Sequence, residues 1–182
     1  RTAAFLAGHG FVVAVPEVYH ELEPGPGVAL AYDQAGADRG KSEFALLFLD
    51  LDKFKNINDT LGHEVGDELL RQVAARLLAA VRVSDVVARL GGDEFVVLLY
   101  NLGVDTEAAR LHASMIGYKI LASLNEPYVL GNAQHSTTPS IGITLFQAHQ
   151  ESSDELMKRA DIAMYQAKSA GRNTLRFFDN KM

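Results

Sequence analysis

The stretch that most narrows the choice of fold is residues 86–99. VVARL (86–90) and FVVLL (95–99) are two apolar, β-favouring runs of strand length, and only the four residues GGDE lie between them. Gly91 and Gly92 take positive φ at no steric cost, so the spacing predicts a tight antiparallel hairpin. Hydrophobic runs account for the hairpin. They do not account for a tip made of Asp93 and Glu94.

The rest of the chain supplies partners for that hairpin. FALLFLD (44–50) is a nearly continuous apolar run, as expected of a central strand covered on both faces, and it ends in carboxylates. Residues 62–82 carry Val65, Leu69, Val73, Leu77 and Val81 at helical spacing, with Leu70 and Ala74 beside them. A second helix is expected over 105–124, capped by Asp105, with Leu111, Met115, Tyr118, Ile120 and Leu121 as a broad apolar face. SIGITLF (140–146) reads as a strand, reached through a polar loop 131–139 with room for a short strand pair. Ser152 and Glu155 have capping-box spacing for a third helix with face Leu156, Ala160, Ala163, Met164 and Ala167, ending at Gly171. TLRFF (174–178) is the last strand. The order from residue 44 is β-α-β-β-α-β-α-β, which predicts a sheet with helices packed on it. Residues 1–43, with EPGPG and DQAGADRG, are loop-like and form an irregular lead-in apart from a strand-like GFVVAV.

With 182 residues and 48% hydrophobic content, one core of ordinary size is within reach. A net charge of −6 argues against a broad basic face for duplex DNA, yet leaves room for a small phosphate site. The absence of cysteine excludes disulfides, thiolate metal sites and thiol nucleophiles. No apolar run is long enough to span a bilayer, and the start has no signal-peptide pattern. Beginning at Arg1 without methionine, the chain is expected to be part of something longer, located inside the cell.

Asp50 ends the most apolar strand, Asp52 follows two residues later, and Asp93 and Glu94 tip the hairpin. If the hairpin lies beside the first strand, these acids converge on one sheet edge. Carboxylates placed together repel and have raised pKa values unless a cation lies between them. Magnesium suits such a place: two acidic ligands and one carbonyl, such as that of Leu51, leave positions for water and triphosphate oxygens. Two such ions can activate a hydroxyl and stabilise a pentavalent phosphorus. Lys53 and Lys55 follow in a loop whose N–H groups can cradle phosphate. Lys168 and Arg172 stand at a helix C-terminus, where cations are also favoured by the dipole alone. Asn58 and Asp67 have the groups to read a base edge, but they are equally suited to turning a loop or capping a helix. His63 has no partner at zinc-ligand spacing.

LDLDKFKNINDTLGHEVGD (49–67), ARLGGDEF (88–95) and ADIAMYQAKSAGRN (160–173) together resemble the GGDEF family of diguanylate cyclases, over about residues 44–180. The resemblance implies condensation of two GTP to cyclic di-GMP and two pyrophosphates on a homodimer, each domain presenting one GTP. The implied fold is α/β (α+β), with a nucleotide-cyclase or palm-like, mostly antiparallel central sheet flanked by helices around a ferredoxin-like βαββαβ core. It implies Asp50, Asp93 and the Leu51 carbonyl as ligands of two Mg2+ (or Mn2+) ions per site. Asp93 would assist 3′-hydroxyl deprotonation, with Glu94 and Lys55 beside it. Asn58 and Asp67 would read guanine with His63 near the nucleoside, Lys55, Lys168 and Arg172 would meet the phosphates, and Lys53 and Phe54 would belong to the substrate-binding set. Sensory, transmembrane or EAL-type domains are expected in the full-length protein, making this a cytoplasmic domain of a membrane-attached protein.

Arg82-Val83-Ser84-Asp85 resembles the family's RxxD product-inhibition site, and arginine suits paired bonds to phosphate or guanine. Asp85 is also placed to end a helix-to-strand turn. Five extended residues span roughly 16 Å, so Arg82 and Asp85 belong on the side away from the Asp50–Asp93 edge. Residues 1–43 depart from the family's opening. GFVVAVPEVYHE and AYDQAGADRG are instead weakly similar to an N-terminal stretch of dienelactone hydrolases, without a nucleophile elbow. Two other readings stand beside the cyclase: a non-catalytic GTP or cyclic di-GMP sensing module, and a magnesium-dependent adenylyl or polymerase-like enzyme using another nucleotide.

Overall fold

The computed structural model describes residues 12–13, 42–147 and 151–179. The apolar runs form the strands β1 (Val12–Val13), β2 (Glu43–Leu51), β3 (Val86–Gly91), β4 (Glu94–Leu99), β7 (Pro139–Gln147) and β8 (Thr174–Phe177) of one six-stranded sheet. β5 (Tyr128–Leu130) and β6 (Ala133–His135) make a separate two-stranded sheet. The helices are α1 (Phe54–Leu61), α2 (His63–Ala80), α3 (Thr106–Asn125) and α4 (Ser153–Ser169).

Strand order in the main sheet is β1-β3-β4-β2-β7-β8. All neighbours are antiparallel except β7 and β8, which run parallel. β2 is therefore internal, and all nine of its residues are buried. Its alternate side chains enter two cores. Ala45, Leu47, Leu49 and Leu51 pack with Leu69, Val73 and Leu77 of α2 and Ile120 and Leu124 of α3. Phe44, Leu46 and Phe48 pack with Leu156, Ala160 and Met164 of α4. A mixed α/β domain with a mostly antiparallel sheet and helices on both faces results, as the alternation predicts.

The hairpin forms between β3 and β4, with Gly91 at φ 159° and Gly92 at φ 53°. The register slips between Arg89 and Gly91, leaving Gly91 opposite Glu94. The N–H at Nε of Arg89 donates to the Gly92 carbonyl at 2.9 Å and closes the tip.

Three expectations are corrected. Residues 54–61 are helix α1 rather than loop, so Lys55 and Asn58 sit on a helix that breaks from α2 at Gly62, φ 89°. The small strand pair begins at Tyr128, earlier than the polar loop expected to hold it, because Gly131 supplies the turn at φ 62°. On α3 the inward residues are Ala109, Ala113, Gly117, Ile120, Leu121 and Leu124. Leu111, Met115 and Tyr118 are 65%, 63% and 59% exposed. Apolar residues are spread round the helix among Glu107, Arg110, His112 and Lys119, and its small residues win the inner face because they let it approach the sheet. A Cβ on Gly117 would already lie 2.9 Å from Leu175.

The α2 and α4 faces match the periodicity, and the Ser152 and Asp105 caps accept from Glu155 N–H at 3.2 Å and Ala108 N–H at 2.6 Å. Of the lead-in, Val12–Val13 pairs with Ala88 and Arg89 of β3. The remainder of the segment resembling dienelactone hydrolases lies outside the described residues.

Candidate active site

The C-terminal end of β2 meets the tip of the β3–β4 hairpin because β4 is its ladder neighbour: Asp50 stands opposite Glu94, and the Leu51 N–H donates to the Asp93 carbonyl at 3.3 Å. Three carboxylates, Asp50, Asp93 and Glu94, thus share one sheet edge. The Lys168 Nζ lies 2.8 Å from Asp50 Oδ2. Burial, above all, raises the Asp50 pKa; the Lys168 hydrogen bond opposes it, while Asp93 and Asp52 add to the rise. Burial likewise raises Glu94, reinforced by Asp50, Asp93 and Asp161. One lysine does not neutralise three carboxylates, and a cation between such groups would relieve their repulsion.

The donor set fits magnesium. Among the described residues no group of three or more His, Asp or Glu side chains closes on one point. An ion here would take part of its coordination from backbone carbonyl, water or ligand oxygen, as magnesium at phosphate sites commonly does.

The guanine-reading candidates sit on the α1–α2 pair. Asn58 Oδ1 is buried with no hydrogen-bond partner. It occupies space vacated by Gly66 on α2, where an alanine Cβ would lie 1.9 Å from it. A buried acceptor without a partner costs about 1–3 kcal/mol, so the atom is poised for a donor from a ligand. Asp67, next to Gly66, and His63, the first residue of α2, are exposed. Asp67 lies inside α2 and does not cap it.

Lys53 is exposed in the left-handed region at φ 63°, immediately before α1, and Lys55 is exposed on α1. The Phe54 ring is buried in the core, which leaves its backbone as the part able to face a ligand. Arg172 follows α4, with Nε 3.8 Å from Asp52 Oδ1. A cleft of about 560 Å³ borders Lys53 and Arg172 and runs between α1 and residues 135–138, without reaching Asp50 or Asp93. Asp52 does not join the acidic edge; its carboxylate is occupied by Thr138, Ser140 and Asn173.

Arg82 and Asp85 precede β3 and Asp93 follows it, so they stand at opposite ends of that strand. The Asp85 carboxylate accepts the N–H groups of Arg82, at 2.9 Å, and Tyr100, at 3.2 Å, which is the turn-closing arrangement. The Arg82 guanidinium is exposed and lies 2.9 Å from His112 Nε2.

Residues 28–174 match the family described as diguanylate cyclase, GGDEF domain. MucR of Pseudomonas aeruginosa, a bifunctional diguanylate cyclase/cyclic di-GMP phosphodiesterase, is 43% identical over 147 residues, covering 80% of this chain and 20% of MucR. NbdA of the same organism, a cyclic di-GMP phosphodiesterase, is 42% identical over 144 residues, 79% of this chain and 18% of NbdA. The crystal structure of the GGDEF domain of YfiN (TpbB) from P. aeruginosa superposes with a TM-score of 0.73 at 41% identity, covering 82% of this chain and 89% of that one. The chain belongs to the GGDEF diguanylate cyclase domain family. It spans about a fifth of the length of MucR and NbdA.

Proposed function

We propose that the domain is a diguanylate cyclase that condenses two GTP molecules into cyclic di-GMP on a homodimer. The observation carrying this reading is the acidic edge of Asp50, Asp93 and Glu94 with Lys168 at 2.8 Å from Asp50. In each half-reaction the 3′-oxygen of one GTP attacks the α-phosphorus of the other. A new P–O bond forms, the bond to the β-phosphate oxygen breaks, and pyrophosphate leaves. Asp50, Asp93 and the Leu51 carbonyl would hold two Mg2+ (or Mn2+) ions, which would supply charge neutralisation for the triphosphate and lower the pKa of the attacking hydroxyl. Asp93 accepts the hydroxyl proton, with Glu94 extending the acidic edge. Lys53, the Phe54 N–H, Lys55, Lys168 and Arg172 offset charge on the transferring and leaving phosphates. Asn58 and Asp67 read guanine, with His63 near the nucleoside; the unpartnered Asn58 oxygen supports that assignment.

The βαββαβ unit β2-α2-β3-β4-α3-β7, with spatial order β3-β4-β2-β7, supports a ferredoxin-like core of the nucleotide-cyclase and palm type. Residues 44–180 form the catalytic domain and 1–43 a lead-in, although the family match extends back to residue 28. Arg82 and Asp85 hold cyclic di-GMP as a product-inhibition site, supported by their placement across β3 from the acidic edge and the exposed guanidinium. Sensory, transmembrane or EAL-type domains complete the full-length protein, with this domain in the cytoplasm; among the described residues no helix is long and apolar enough to cross a membrane. The net charge of −6 gives no support for DNA as a partner.

A GTP or cyclic di-GMP sensing module is the second reading, favoured by the similarity to NbdA, which is named for phosphodiesterase activity. Asp93→Asn separates the two. A cyclase loses turnover of GTP by at least about a thousandfold, since metal binding and deprotonation fail together. A sensor turns nothing over in either form, and calorimetry with GTP and cyclic di-GMP then reports unchanged binding of at least one.

A further inference from the structure

Asp52 is the one acid of the β2 terminus that the cyclase chemistry leaves without a task. Its side chain is only 4% exposed, and its lone pairs are taken. Ser140 Oγ donates to Oδ1 at 2.8 Å, Thr138 Oγ1 to Oδ2 at 2.6 Å, and the Asn173 N–H to Oδ2 at 3.3 Å; Arg172 Nε lies 3.8 Å from Oδ1. The main chain adds two bonds. Asp52 N–H donates to the Thr138 carbonyl at 2.7 Å, and its carbonyl accepts from Thr137 Oγ1 at 3.0 Å. One residue therefore ties together the end of β2, the start of β7 and the turn from α4 to β8.

That last turn is unusual. Gly171, Arg172 and Asn173 have φ of 112°, 65° and 47°, and two of the three are not glycine. Left-handed backbone costs a non-glycine residue roughly 1–2 kcal/mol, so the turn persists because its surroundings hold it. Asp52 holds it at the Asn173 N–H and at the Arg172 guanidinium, while Asp50 holds Lys168 one helical turn earlier. The Asp-Leu-Asp segment thus holds Lys168, in the last turn of α4, and Arg172, in the turn that follows it.

We propose that Asp52 is a positioning residue for the nucleotide triphosphate: without touching metal or substrate, it fixes the strained turn that presents Arg172. This rests on the reading that Arg172 meets a phosphate. Simple Coulomb attraction predicts the opposite effect of removing Asp52, because deleting a negative charge near a polyanion tightens its binding. The sign of the change is therefore decisive.

The test is calorimetric binding of α,β-methylene GTP, which cannot release pyrophosphate, with magnesium, alongside guanosine, which has no phosphate. Asp52→Asn is expected to weaken the triphosphate analogue about tenfold, the size of one lost charge-assisted contact, and to leave guanosine within about twofold. Arg172→Ala gives a similar loss, and Asp52→Asn adds nothing further to it, since one residue acts through the other. Thr138→Val removes the 2.6 Å bond without changing charge and gives the same pattern in smaller measure, standing in if Asp52→Asn does not fold. Tighter or unchanged analogue binding, equal loss of guanosine, or losses that multiply would each overturn the proposal. A parent protein that binds guanosine but not the analogue overturns the phosphate reading itself, and the clasp with it.

Discussion

Gly66 shows how a single missing methyl group can make room for a side chain, here that of Asn58, the proposed guanine reader. In an exposed helix interior Gly→Ala gains about 1 kcal/mol, yet at position 66 the new Cβ would lie 1.9 Å from Asn58 Oδ1 and 3.3 Å from the Phe54 ring. Gly66→Ala is expected to push Asn58 aside, raising KM for GTP about tenfold and eroding the preference for GTP over ATP, as steady-state kinetics with both nucleotides will report. Glu94 gives a pH prediction. Its folded pKa is raised above the ordinary 4.5, so the folded state binds more protons than the unfolded one between the two values. Stability therefore falls as pH rises through that window. Without nucleotide or metal, Glu94→Gln is expected to raise Tm at pH 7 and to lose that gain below pH 4.5 in thermal melts. At this scale Asp50 and Asp93 were legible, because a strand end and a hairpin tip are local features of sequence. Asp52 was not: Thr138 and Asn173 are 86 and 121 residues away, and only the completed sheet brings them to it. The burial of the Phe54 ring was not legible for a related reason. Its burial depends on helix α1, which the polar text 55–60 conceals.

Among the elements, α4 is the one whose position the chemistry can least afford to change, since it carries Lys168 and leads into Arg172. It lies on β7 at Gly142, where a Cβ would meet the Ala160 carbonyl at 2.0 Å and the Met164 nitrogen at 2.2 Å. Both are backbone atoms, so no rotamer change relieves the clash. Gly142→Ala is expected to destabilise the domain by about 3 kcal/mol in urea unfolding, the upper part of the usual range for overpacking. On α3 the opposite holds. Met115→Glu is expected to change stability by no more than about 0.5 kcal/mol, although periodicity alone puts this residue in the core. Helix existence and the caps Asp105 and Ser152 were readable from local chemistry. Which of the apolar residues of α3 face the sheet was not, because that choice is made by close approach at Ala109, Ala113 and Gly117.

The whole molecule divides its tasks along the sheet. One end of β3 carries Arg82 and Asp85, the other the acidic hairpin tip, and the internal strand β2 delivers Asp50 and Asp52 to that same end with different duties. The proposed cyclase supplies half a reaction centre, so its rate depends on two domains meeting. The most direct measurement is product formation by purified protein with GTP and magnesium across a range of protein concentrations. One cyclic di-GMP is expected for every two pyrophosphates, with a specific activity that rises with protein concentration before it levels off at full dimerisation. Dimeric protein that binds GTP and releases neither product would contradict it.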